Sequence, residues 1–153
     1  MNHLDLFKEK NIIAELQETD KRGVLEEMVD YAVSSELLAK TKKKAVIEAI
    51  MAREQLGSTG LGNGIAIPHV KIKGFQGDLS LVGRSTRGVD FKSIDGEHVS
   101  IFFMIVSSTE DAEKHLSILQ WISGLARHRD FKSFVLGASD AKEILGILKE
   151  IGS

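Results

Sequence analysis

Residues 99–106, Val-Ser-Ile-Phe-Phe-Met-Ile-Val, constrain the fold more than any other part of this chain. Successive side chains of an extended strand point to opposite sides, so this segment is apolar on both faces. Such a strand is typical of the centre of a sheet that helices cover on each side. Its apolar run, residues 101–106, is far shorter than the roughly 20 residues that span a bilayer.

Helix-like and strand-like patterns alternate along the rest of the chain. Apolar residues recur every three or four positions over residues 22–38, which predicts an amphipathic helix. A second helix is predicted over residues 42–56, with Thr41 as its cap and with Gly57 ending it. Its predicted apolar face contains Ala45, Ala49, Ile50, Ala52 and Leu56.

Two more helices are predicted in the last third of the chain. One runs from Ser108 or Thr109 to about His128, and the other begins at Asp140, which forms a capping-box-like start with Glu143. The predicted buried face of the first contains Leu116, Leu119, Ile122 and Ala126.

The remaining short apolar segments predict strands. Residues 65–67 and 79–83 precede the central strand, and a short edge strand is predicted within residues 11–16. The alternation predicts an α/β fold, with a central mixed, partly parallel sheet and helices on both faces. The length, 153 residues, predicts a single domain over residues 1–153.

The composition excludes several classes of function. There is no cysteine, which excludes disulfides, thiolate catalysis and cysteine-based metal sites. The net charge of −2 lacks the basic excess of a nucleic-acid binder. The first residues contain no apolar signal segment, so we expect a cytoplasmic protein that is not embedded in a membrane.

Residues 57–64 contain four glycines, and they lead into the only proline of the chain, Pro68, which is followed by His69. Glycine allows positive φ angles and close approach of the backbone to a ligand. A Walker A loop would need a lysine where Asn63 follows Gly62, and a dinucleotide fingerprint would need a glycine at Ile65. Neither nucleotide motif is therefore present.

His69 is the candidate reactive group of this stretch. Proline cannot donate to a strand ladder, so we expect the strand to end at Pro68 and the imidazole of His69 to lie at the rim of the sheet. A neutral imidazole is a nucleophile near pH 7 and can accept a phosphoryl group. The alternative is a loop histidine that fills a polar gap.

Residues 52–69, ending in Gly-Ile-Ala-Ile-Pro-His, resemble the signature of the fructose/mannitol-type IIA domains of the bacterial phosphoenolpyruvate-dependent sugar phosphotransferase system, which include nitrogen-regulatory IIA proteins. Further matches begin at His115 and at Gly88, and together they extend over roughly residues 10–150. The sequence departs from the family at Val70, where glycine or alanine commonly follows the histidine.

The resemblance implies a role for three residues. His69 would be the phosphorylated nucleophile, through Nε2, and the donor would be a phosphohistidine on a small carrier of the HPr type. His115 would be the second active-site histidine, and the alternative is a histidine on a helix surface. Arg53 would hold phosphate oxygens through its guanidinium, and the alternative is a surface salt bridge.

No cofactor is expected, because the incoming phosphoryl group is already activated. A zinc site built on His69 and His115 would lack a third ligand. Ser58 and Thr59 could anchor phosphate or simply cap the loop.

Two outputs share the phosphorylated histidine. A transport IIA component passes its phosphoryl group to a IIB domain, whereas a regulatory IIA protein uses the added charge to change its binding to target proteins. No fused IIB or membrane IIC segment occurs in these 153 residues, which favours the nitrogen-regulatory type over a fructose or mannitol transport component.

Overall fold

A computed structural model describes residues 3–153, in which a six-stranded sheet lies between two layers of helices. The strands are β1 (Ile12–Ile13), β2 (Gly60–Gly62), β3 (Ile65–Ala66), β4 (His69–Ile72), β5 (Leu79–Val89) and β6 (Val99–Ser108). The helices are α1 (Lys21–Ser34), α2 (Lys43–Gln55), α3 (Ala112–Arg127), α4 (Phe131–Gly137) and α5 (Ala141–Gly152). Within residues 3–153, none of the helices combines the length and the hydropathy that crossing a membrane requires.

The sheet is mixed, as predicted. On one side β6 pairs antiparallel with β5, and β1 adds in parallel to β5 as a short edge strand. On the other side both β3 and β4 pair in parallel with β6, and β2 pairs antiparallel with β3. The predicted fold class is therefore confirmed, including the edge strand expected within residues 11–16.

Strand β6 is the centre of the molecule, and all of its residues are buried. Phe102, Met104 and Val106 pack into the cluster that includes residues of α1 and α2. Ile101, Phe103 and Ile105 pack into the cluster that includes residues of α3, α4 and α5. Burial of one such side chain stabilises the fold by about 1.5–3 kcal/mol. Because β6 has apolar side chains on both faces, a helical layer packs against each face.

The start and the buried face of α2 differ from the prediction. Residues Lys40–Lys42 form a turn of 3₁₀ helix, α2 begins after it, and the side chain of Thr41 does not cap it. The helix buries Val46, Ile50 and Glu54, whereas Leu56 is 85% exposed. Of the predicted face only Ile50 is buried, because the alanines of α2 favour the helix without selecting the face that docks.

The buried face of α3 agrees with the predicted one at Ile122 but is otherwise rotated from it by about one position. His115, Ile118, Ile122 and Leu125 are buried, and Leu116 is 56% exposed. One residue along a helix corresponds to a rotation of about 100°, so a shift of one position turns a surface residue inward. In the observed orientation of α3, His115 faces the sheet and contacts Ser107 of β6.

The chain after α3 contains a helix that the sequence did not predict. α4 has seven residues and contributes Phe131 and Val135 to the core. A segment of this length shows too little periodicity to be recognised. The helix after it begins as predicted, because Asp140 accepts a hydrogen bond from the backbone N–H of Glu143 at 2.9 Å.

Candidate functional site

His69 begins a strand instead of following the end of one. β3 and β4 both pair with β6, and the chain passes from one to the other through Pro68. The carbonyl oxygen of Pro68 accepts a hydrogen bond from the N–H of Ile105 at 3.0 Å. β3 ends at Ala66, two residues before the predicted end at Pro68, and His69 is half-buried at the start of β4. The sheet therefore continues past Pro68, because proline lacks an N–H donor but keeps its carbonyl acceptor.

The hydrogen bonds of the His69 ring identify its free nitrogen. Nδ1 lies 2.5 Å from the carbonyl oxygen of Ile67. Because a carbonyl oxygen can only accept, Nδ1 carries the proton and Nε2 retains its lone pair. This is the tautomer that a nucleophilic Nε2 requires.

The surroundings of His69 keep its ring neutral. Burial is the main cause that lowers the pKa of His69 below 6.5, although the hydrogen bond to Ile67 opposes it. The positive charges of Arg53 and Lys71 lower the pKa of His69 further. A neutral imidazole is therefore available at neutral pH.

His115 lies beside His69, and the two ring centroids are 5.7 Å apart. The residue is 4% exposed, so the alternative of a histidine on the helix surface is wrong. Its Nδ1 is 2.8 Å from Oγ of Ser107, and its Nε2 is buried with no hydrogen-bond partner among residues 3–153. Burial, with the nearby His69 and Lys71, lowers the pKa of His115 to about 4.

Arg53 lies in the last turn of α2, near enough to act on the pKa of His69. Its Nη1 donates to the carbonyl oxygen of Gly57 at 3.0 Å. Among residues 3–153 no carboxylate forms an ion pair with it, so the surface salt bridge is not observed. Its remaining N–H groups can bind an anion.

The hydroxyls of Ser58 and Thr59 hold the glycine loop together. Ser58 Oγ donates to the carbonyl oxygen of Phe91 at 2.9 Å and accepts from the N–H of Gly60 at 3.1 Å. The hydroxyl of Thr59 donates to the buried carboxylate of Glu54. Both residues therefore stabilise the loop from within.

Glu54 is the anchor of this loop. It also accepts from the N–H of Thr59 at 3.3 Å and forms an ion pair with Lys21 at 2.7 Å. The N–H of Asn63 donates to Asp95 at 3.2 Å. The N–H groups of Thr59 and Asn63 therefore bond to carboxylates of the protein and are not free to bind an anion.

Gly60 is required by close packing. A Cβ at this position would lie 2.2 Å from Oγ and 3.2 Å from Cα of Ser93. Any side chain would push the glycine loop away from the loop that contains Ser93.

Sequence reasoning missed Lys71 and Ser107. Lys71 lies two residues after His69 in β4, and alternate residues of a strand share a face. This spacing could have identified Lys71 as a neighbour of His69. Ser107 had no signal, because its contact with His115 depends on how α3 docks on β6. Within residues 3–153 there is no group of three or more metal-ligating side chains that could hold a metal ion.

Comparison with known proteins gives one family. Residues 5–151 match the model of the family described as "Phosphoenolpyruvate-dependent sugar phosphotransferase system, EIIA 2". A nitrogen regulatory protein of Bradyrhizobium diazoefficiens is 32% identical over 144 residues, which cover 94% of this chain and 92% of that protein. The fructose-specific EIIABC component of Bacillus subtilis is 31% identical over 150 residues, covering 98% of this chain and 23% of that protein.

A solved structure shows the same fold over nearly its whole length. The nitrogen regulatory protein IIA-Ntr of Neisseria meningitidis superposes with a TM-score of 0.85 at 28% identity. The match covers 95% of this chain and 97% of that one.

Proposed function

Because the chain belongs to the EIIA 2 family of the phosphoenolpyruvate-dependent sugar phosphotransferase system, we propose that it is a phosphoryl-relay protein that is phosphorylated on Nε2 of His69. The donor is the phosphohistidine of a small HPr-type carrier, and the reaction takes place in the cytoplasm. Residues 1–153 act as one EIIA domain. The chain is thus a phosphotransferase with a phosphohistidine intermediate.

The tautomer of His69 is the observation that carries this proposal. Its Nδ1–H is engaged with Ile67, so the lone pair of Nε2 is free to attack phosphorus. A P–N bond forms at His69 while the P–N bond of the carrier breaks, and the carrier's ring nitrogen takes back its electron pair. One phosphoramidate replaces another, so no metal, nucleotide or redox partner is needed.

Arg53 and His115 stabilise the charge of the transferring group. Phosphoryl transfer passes through a loose transition state whose charge lies on the equatorial oxygens, so catalysis depends on positioning and electrostatics. The guanidinium of Arg53 supplies a fixed positive charge, and His115 supplies a buried ring next to the nucleophile.

We propose a regulatory output for the phosphorylated protein. The chain is 32% identical to the nitrogen regulatory protein of Bradyrhizobium, and its fold superposes on the Neisseria IIA-Ntr structure with a TM-score of 0.85, which supports this output. A phosphoryl group adds about −1.5 to −2 charges, which is enough to change binding to a target protein. The alternative is transport, in which His69 passes the phosphoryl group to a IIB domain for fructose or mannitol.

Incubation with phosphoenolpyruvate, enzyme I and HPr tests the proposal. We expect one acid-labile phosphoryl group, located by mass spectrometry on the peptide that contains His69. Failure of the protein to gain this group while HPr is phosphorylated would overturn the proposal. Addition of a fructose IIB domain then separates the outputs, because rapid loss of the group to IIB supports transport and its retention supports regulation.

The pH dependence of acceptance follows from the lowered pKa of His69. Protonation of Nε2 removes the nucleophile, so the rate falls only as the pH drops through a pKa that lies below 6.5. We expect a level rate constant from roughly pH 7 to pH 9. Ring NMR shifts of His69, followed through a pH titration, measure this pKa directly. A midpoint above that of a free imidazole would contradict the prediction.

A further inference from the structure

The two histidines of the site are held by different kinds of partner. Nδ1 of His69 bonds to a carbonyl oxygen, which can only accept, whereas Nδ1 of His115 bonds to the hydroxyl of Ser107, which can donate or accept. Ser107 is fully buried in β6, and it pairs in register with Lys71 of β4. The tautomer of His115 therefore depends on the direction of one buried hydrogen bond.

The number of buried polar groups left without a hydrogen-bond partner decides whether Ser107 donates to His115 or accepts from it. If Nδ1–H of His115 donated to Ser107, the hydroxyl proton of Ser107 and the lone pair of Nε2 would both lack a partner within residues 3–153. If Ser107 donates to Nδ1, only Nε2–H of His115 remains unpaired. Because buried polar groups without partners destabilise a protein, the second arrangement is favoured.

We propose that Ser107 is a positioning residue that fixes His115 in the Nε2–H tautomer, opposite to that of His69. The nucleophile and its neighbour then present complementary atoms, a lone pair on one ring and an N–H donor on the other. This inference rests on the proposed phosphorylation of His69. It states which ring nitrogen of His115 carries the proton and involves no proton transfer.

The unpaired Nε2–H of His115 has a use once His69 is phosphorylated. A phosphoryl group brings three strong acceptor oxygens to a ring whose centroid lies 5.7 Å from that of His115. In the resting protein this buried donor has no partner within residues 3–153, and in the phosphorylated protein it gains one. A hydrogen bond that forms only when the phosphoryl group arrives stabilises the transferring group without stabilising the resting protein, and it therefore favours transfer.

The tautomer is measured in the unphosphorylated protein. Nitrogen-15 NMR shifts of the His115 ring are expected to show a protonated Nε2 in the wild type. In Ser107→Ala, loss of the donor to Nδ1 is expected to shift the population toward the Nδ1–H form. A wild-type ring with its proton on Nδ1 overturns the inference, whether or not any variant folds.

Kinetics test the consequence for transfer. We expect Ser107→Ala to slow single-turnover transfer from phosphorylated HPr about three- to tenfold, the effect of one hydrogen bond, and Ser107→Thr to restore part of the rate. Ser80→Ala is the matched control, because Ser80 is also buried in the sheet and its hydroxyl has no partner among residues 3–153. It is expected to stay within about twofold of the wild type.

The outcomes separate this inference from the proposed function. Equal rates for Ser107→Ala and Ser80→Ala, with a phosphorylated wild type, overturn the role of Ser107 alone. A wild type that accepts no phosphoryl group overturns the proposed function, while the NMR measurement still decides the tautomer.

Discussion

Substitution of His69 by glutamine is expected to reduce phosphoryl transfer from HPr below detection. Glutamine keeps a side chain of similar reach, but its amide nitrogen is not a nucleophile and cannot form a phosphoramidate by simple exchange. His69 is half-buried and makes one hydrogen bond, to Ile67, so the variant should lose only about 1 kcal/mol of stability. If the His69→Gln protein folds but does not accept the phosphoryl group, His69 has a chemical role and not only a structural one.

His128→Gln is the control for this substitution. His128 is exposed at the end of α3, away from the pair formed by His69 and His115, and its replacement should leave phosphoryl transfer unchanged. Both variants are compared with the wild type by radiolabel incorporation and by thermal unfolding. Labelling of the His69→Gln protein at the wild-type rate would place the nucleophile elsewhere.

Arg84→Met should cause the largest loss of stability, about 3–5 kcal/mol. Arg84 is 5% exposed in β5, and its Nε donates to the carbonyl oxygen of Ala14 at 2.8 Å. Its Nη1 donates to the carbonyl oxygen of Val135 at 2.8 Å and also to that of Ala138. One guanidinium thus bonds to the end of α4 and to the segment after β1. Methionine would remove this donor from three carbonyl groups, of which, within residues 3–153, only that of Val135 keeps another donor, the N–H of Ala138.

Arg87→Met provides the matched comparison, since Arg87 lies in the same strand and is exposed. Its replacement is expected to change stability by less than about 0.5 kcal/mol. Urea unfolding of both variants measures the difference, at an m-value close to that of the wild type. Similar midpoints for the two variants would show that the buried hydrogen bonds of Arg84 contribute little.

The elements that could be predicted are those whose signals are local. Residues 99–106 predicted a central strand because burial on both faces leaves no polar alternation. The first helix, residues 22–38 as predicted and Lys21–Ser34 as observed, was visible because its apolar residues form a periodic stripe. The motif ending at His69 predicted the family, which the comparison confirmed.

The faces of α2 and α3 could not be predicted as reliably. Leu56 and Leu116 resemble core residues in the sequence, yet 85% and 56% of their surfaces are exposed. Glu54 and His115 occupy the buried positions instead. A sequence pattern ranks residues by hydrophobicity. A buried polar side chain is nevertheless stable wherever the packed fold supplies its hydrogen-bond partner, as it does for Glu54 and His115.

The sequence by itself determined a mixed sheet between helices and a histidine placed directly after the only proline. The tertiary structure alone decided the chemistry available around that histidine. It brought His115 to a centroid distance of 5.7 Å and placed Ser107 against its ring. The reason is physical: strand and helix formation follow from short-range periodicity, whereas tautomers and pKa values depend on hydrogen bonds and burial that exist only after the helices have packed on the sheet.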